Sequence, residues 1–80
     1  MRKYNEKSNV SGEIIAKIRE EKKISKEELC RQLQLLGINI DRFHLYRIER
    51  GAVILKDFEL IAICKILKIN FDNLKDLVED

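Results

Sequence analysis

Two short amphipathic segments on either side of a lone glycine constrain this chain more than any other feature. The stretch from Ser25 to Gly51 reads as a helix ending at Gly37, a bridge Ile38-Asn39-Ile40, and a second helix closing in Ile48-Glu49-Arg50-Gly51. Ser25 followed three residues later by Glu28 fits a capping box, in which the serine takes the third backbone N–H and the glutamate reaches back. Leu29, Leu33 and Leu36 then recur at helical spacing with Cys30 beside them, and form the expected buried face. Gly37 suits a left-handed helix end. Asp41 is the expected N-cap of the next helix, which runs from Arg42 to Arg50 with only Leu45 and Ile48 on a clear inward face.

The flanks continue the pattern. Val10, Ile14 and Ile18, with Ile15 alongside, make an apolar stripe for a helix from about Ser11 to Lys22. Ala52 to Lys56 reads as an apolar loop. Asp57 is the expected cap of a helix from Phe58 to about Leu67, burying Leu60, Ile61, Cys64 and Leu67. Asn70 is the expected cap of a fifth helix with Phe71, Leu74, Leu77 and Val78 inward. The chain has no proline and three glycines, Gly12, Gly37 and Gly51, which favours helices over a turn-rich β fold. The fold class expected is all-α: a compact five-helix bundle containing a helix-turn-helix with an extended turn. Residues 1–9 are expected to be a flexible N-terminal tail and residues 10–80 one domain, since eighty residues suffice for a single small core.

Charge is distributed unevenly. Residues 1–50 carry twelve Lys and Arg against eight Asp and Glu; residues 51–80 carry four against six. The basic half holds the helix pair, as phosphate binding requires, although asymmetry of this size also arises by chance in small domains. The two cysteines, Cys30 and Cys64, sit in apolar helical patterns and read as reduced, buried small hydrophobes. One histidine and no Cys-x-x-Cys pair leave no metal site, and no cofactor is expected. A Gly-rich phosphate loop and a nucleophile placed by motif are both absent, so the chain is not expected to be an enzyme. No apolar run approaches the ~20 residues needed to cross a bilayer, and no signal peptide is seen, so a cytoplasmic location without membrane contact is expected.

The segments GEIIAKIREEKKISKEEL, LYRIERG and DFELIAICKILKINFDNL, in that order and spacing, resemble the lambda-repressor-like helix-turn-helix family of the Cro and phage-repressor type, XRE, over roughly residues 10 to 78. The resemblance implies a sequence-specific DNA-binding transcriptional regulator, usually a homodimer, acting as a repressor or activator. It implies a structural salt bridge between Arg19 and Glu49. It places Arg42, Phe43, His44 and Arg47 at base-reading positions of the helix 42–50, where an arginine fork suits guanine. Lys26, Tyr46 and Arg50 fall where phosphates pass. Each also has a plainer reading: a solvated polar face for the cluster, an exposed lysine for Lys26, a histidine without a role for His44.

Three departures qualify the resemblance. Gln34 to Asn39 lengthen the connection between the two helices by about five residues on an alignment good to a few positions. Phe43 replaces a small polar residue, and either touches a thymine methyl, blocks close approach, or folds back onto the core. Val53 and Ile54 stand where polar or basic residues are usual; they either tuck under the following helix or contact another protein. The alternative function is therefore a protein-interaction module of this fold, of antitoxin or anti-repressor type, with weak or no DNA binding.

Overall fold

Asn9, three residues before Gly12, starts the first helix. In the computed structural model, which describes residues 7–75 apart from the side chains of Phe71 and Asn73, the Asn9 carboxamide oxygen accepts from the Gly12 N–H at 2.8 Å. Its amide nitrogen donates to the Ile48 and Val53 carbonyls at 3.2 and 2.8 Å. Ser8 N–H donates to the Gly51 carbonyl, and Lys7 pairs with Glu13. Of the nine residues expected as a tail, residues 7–9 are thus bonded to the body, and residues 1–6 lie outside the described ones.

Helix α1 spans Gly12–Glu21. Its inward face centres on Ile15, with Ile14 and Ile18 half-buried on either side, so the expected stripe is turned by about one residue. Lys23 ends it in a left-handed conformation, φ 59°. Helix α2, Lys26–Leu35, begins with Ser25 accepting from the Glu28 N–H at 3.0 Å. Only half of the expected capping box forms, because the Glu28 carboxylate turns to Arg31 and Gln32 at 2.6 and 2.8 Å.

Gly37 closes α2 at φ 83°. Its N–H reaches the Gln34 carbonyl and the Ile38 N–H reaches the Leu33 carbonyl, each at 2.9 Å, a Schellman ending. The reversal there overturns one core expectation. Leu36 is 51% exposed, because the chain turns back beneath Leu33 and fully buried Ile40 fills the space instead. Helix α3, Arg42–Glu49, is capped by Asp41, which accepts from the His44 N–H at 2.7 Å. Gly51, φ 74°, repeats the same ending, with Ala52 N–H bonded to the Arg47 carbonyl.

Helix α4, Asp57–Leu67, is started by Lys56 rather than Asp57: the Glu59 carboxylate reaches back to the Lys56 N–H at 2.9 Å, and Asp57 is already the first helical residue. That phase buries Ala62, Ile63 and Leu67 and leaves Leu60 and Cys64 half-buried. Ile61, expected inside, is 66% exposed. The segment expected to form the fifth helix contributes one turn, Phe71–Leu74, with Leu74 half-buried against the core; Leu77 and Val78 lie outside the described residues. Among the described residues the fold is therefore all-α with four helices and no strand, and the count of five is not matched. α1 and α2 each pack against both α3 and α4 around Ile15, Leu29, Leu33, Ile40, Leu45, Ile48, Ile63 and Leu67.

Candidate nucleic-acid interface

Helical phase divides α3 cleanly. At 100° per residue, Arg42, Phe43, Tyr46, Arg47 and Arg50 fall on one arc, and all five are exposed. Leu45, Ile48 and Glu49 fall on the opposite arc, and all three are buried; His44 sits at the border, half-buried. The helix thus turns three arginines and two aromatic rings to solvent while its other side is anchored.

The anchor is an ion pair. Arg19 of α1 donates from Nε and Nη2 to the two Glu49 oxygens at 2.6 and 3.1 Å, and both side chains are 7% exposed. A third guanidinium donor, Nη1, reaches the Ile24 carbonyl at 2.8 Å. The hydrogen bond to Glu49 outweighs burial and raises the Arg19 pKa above its already high value, so the charge is permanent. A fork held at both oxygens fixes the roll of α3 about its axis as well as its distance from α1.

The solvent arc is ordered from within. The Arg47 guanidinium lies 5.7 Å from the Phe43 ring centre, and Arg50 lies 5.5 Å from that of Tyr46, each one turn apart. Arg50 also donates to the Tyr46 hydroxyl at 3.2 Å. Arg42 instead pairs with Glu27 of α2 at 2.5 Å, and that pairing holds the Glu27 carboxyl below its usual pKa. Lys26 leans inward, its Nζ 4.0 Å from Glu49. Between the start of α2 and α3 lies an open cleft of about 560 Å3, walled by Ser25, Lys26 and Glu27 on one side and Arg42, Phe43 and Tyr46 on the other, with Arg19 at its floor.

The structure therefore brings Arg42, Phe43, Tyr46, Arg47 and Arg50 together, sets His44 at the edge, and places Lys26 across the cleft, shared with the buried carboxylate. Phe43 does not fold back onto the core. Of the loop pair, Val53 packs against the core and Ile54 is 73% exposed. Three residues that bear on the site escaped the sequence reading. Glu27, fifteen positions from Arg42, has no local signal for that pairing. Asn9 and Gly12 act on the far end of α3, and only their three-residue spacing hinted at a cap.

Other chemistry finds little support. Burial raises the Cys30 thiol pKa, reinforced by the charges of Asp41, Glu27 and Glu49, and burial alone raises that of Cys64; both shifts oppose a thiolate nucleophile. Among the described residues no group of three or more His, Cys, Asp or Glu is placed to hold a metal ion, and no helix is long and apolar enough to cross a membrane.

A family model described as Helix-turn-helix, of the XRE/lambda-repressor-like kind, matches residues 15–74. The chain belongs to the helix-turn-helix family. The match takes in all of α2, α3 and α4, and so the anchored helix with its cationic arc. No curated protein and no solved structure matches the chain. Membership makes this helix-turn-helix domain a DNA-binding regulator in general terms. The Asn9 clip and Gly12 precede the matched residues and brace the far end of α3.

Proposed function

We propose that this domain is a sequence-specific transcriptional regulator that lays α3 in the major groove of duplex DNA. The observation that carries the reading is the division of α3 into a cationic, aromatic solvent arc and a pinned inner arc. Eight residues of helix are about 12 Å long, comparable to the ~12 Å width of the groove. Arg47 and Arg42 are the guanine readers, Phe43 meets a thymine methyl, and His44 reaches a base from the border of the arc. Tyr46, Arg50 and Lys26 meet phosphates, with Lys26 approaching from the cleft wall. The domain acts as a homodimer, whose two α3 helices reach half-sites about 34 Å apart. The alternative partner, a protein, is favoured by the exposure of Phe43 on α3 and of Ile54 in the loop after it.

The test is selection of bound sequences from a random duplex pool, followed by affinity measurements on the selected site. Arg47→Ala is expected to cost about 1–3 kcal/mol on that site and to relax discrimination at one base pair. Unchanged affinity for both selected and random duplex would remove Arg47 from the readers. A second prediction follows from Glu27. Reading by Arg42 requires its guanidinium to leave the Glu27 carboxylate, an exposed pair that solvent and salt screen. Glu27→Gln abolishes that competition and one negative charge, so affinity is expected to rise by about twofold to fivefold at low salt. A fall in affinity would mean that Glu27 positions Arg42 instead of competing with the DNA.

A further inference from the structure

Helix α4 is apolar on both sides. Its inner side is buried against α1 and α2. Its outer side presents Phe58 and Ile61, with Ile54 one turn upstream in the loop. Asp57, Phe58, Ile61 and Lys65 fall within about 100° of arc, one continuous outer stripe. A helix that is apolar all round is normally covered all round.

The stripe also carries opposite charges at its two ends. Asp57 is the first residue of α4 and Lys65 lies in its last turn. They stand eight residues, roughly 12 Å of rise, apart, too far to pair along the helix. Among the described residues neither makes an ion pair elsewhere. Both sit four residues from Ile61, one on each side.

We infer that this stripe is where two copies of the chain associate, α4 against α4, antiparallel about a twofold axis at Ile61. The inference rests on the homodimer proposed above and names its face. A twofold contact must be self-complementary. Here Asp57 meets Lys65 of the second copy at both ends, Ile61 meets Ile61, and Phe58 lies against Cys64. A parallel pairing would oppose Asp57 to Asp57 and Lys65 to Lys65, so the charges select the antiparallel one, which also sets the two helix dipoles head to tail. The apolar side chains supply the attraction and the rim charges the orientation. The cationic arc belongs to α3 and the stripe to α4, so the contact uses none of the side chains of that arc. One helix width falls short of the roughly 1,600 Å2 of a stable interface, so the association is weak and concentration-dependent.

Sedimentation equilibrium of the full chain tests this, with circular dichroism melts to check that each variant folds. Ile61→Glu places two carboxylates together at the axis and is expected to raise the dissociation constant by at least about tenfold while leaving the melt unchanged. Asp57→Lys and Lys65→Asp are each expected to weaken the dimer by about threefold to tenfold, and the double exchange to restore it. Recovery in the double exchange is a signature that general destabilisation does not produce. A wild-type chain that stays monomeric up to roughly millimolar concentration would overturn both the dimer and its face. A dimer indifferent to Ile61→Glu, or one that the double exchange fails to restore, would overturn the face alone. Neither outcome bears on base reading by α3, which the Arg47→Ala variant examines on the selected site.

Discussion

Glu49→Ala is expected to lose about 3–5 kcal/mol of folding stability, because it leaves the Arg19 guanidinium buried without its carboxylate. Arg19 cannot respond by deprotonating, since the hydrogen bond to Glu49 raises its already high pKa and an arginine stays charged without it. Its remaining protein acceptors are the Ile24 carbonyl and the exposed Glu20 carboxylate 3.7 Å away. Lys26 adds a second cation facing the vacated space. For a small domain near the low end of the usual range of about 5–15 kcal/mol, that loss brings the variant close to half-unfolding at room temperature. Urea titration followed by circular dichroism reads it directly. The comparison that isolates the cause is Arg19→Met with Glu49→Leu: removing both charges for apolar groups of similar length is expected to be close to neutral or stabilising. If the double variant is as unstable as Glu49→Ala, packing around the pair rather than the orphaned charge is responsible.

Gly12→Ala is the second large effect. A Cβ built on Gly12 would lie 2.1 Å from the Ile48 carbonyl oxygen and 3.0 Å from Glu49 backbone atoms. The obstacle is backbone at the end of α3, and it is held in place. The Ile48 carbonyl already accepts from the Gly51 N–H at 2.9 Å and from Asn9 at 3.2 Å. α1 must therefore move away from α3, which loosens the Asn9 clip and lengthens the Arg19–Glu49 fork together. A cost of about 1–3 kcal/mol or somewhat more is expected, a fall in melting temperature of roughly 4–8 °C per kcal/mol. Gly37→Ala is the control. Nothing lies within 4 Å of its Cβ, and only the positive φ opposes it, at about 1–2 kcal/mol. Gly12 has no positive φ, so a loss there reports the close approach of α1 to α3, and unchanged stability of Gly12→Ala would overturn it.

Much of the local structure was legible in the sequence. Ser25 and Asp41 accept from the N–H groups three residues on, and Gly37 and Gly51 take left-handed conformations, because caps and helix ends involve neighbours within a few residues. Leu29, Leu33, Leu45 and Ile48 are buried as helical phase implies. Phase assigns residues to a face but not to a neighbour, and there the reading fell short. Leu36 continues the α2 stripe on paper, yet the reversal at Gly37 gives its place to Ile40. In α4 apolar residues occur on all sides, so periodicity could not choose between Ile61 and Ala62, and the contacts with α1 and α2 chose Ala62.

The cationic character of α3 was written in Arg42, Arg47 and Arg50, and the outward arc follows from two inward residues one turn apart. Its precise pose was not. Asn9 acts across 39 and 44 positions, Arg19 across 30, and Arg42 finds Glu27 across 15. Order along the chain is enough to decide which residues become helix and where each helix stops, since those choices rest on hydrogen bonds and steric limits within a single turn. The roll of α3, the clip on its far end, the absence of a Cβ where α1 crosses it and the bare outer side of α4 were settled when distant segments met, because a contact depends on both surfaces and the linear chain displays them one at a time.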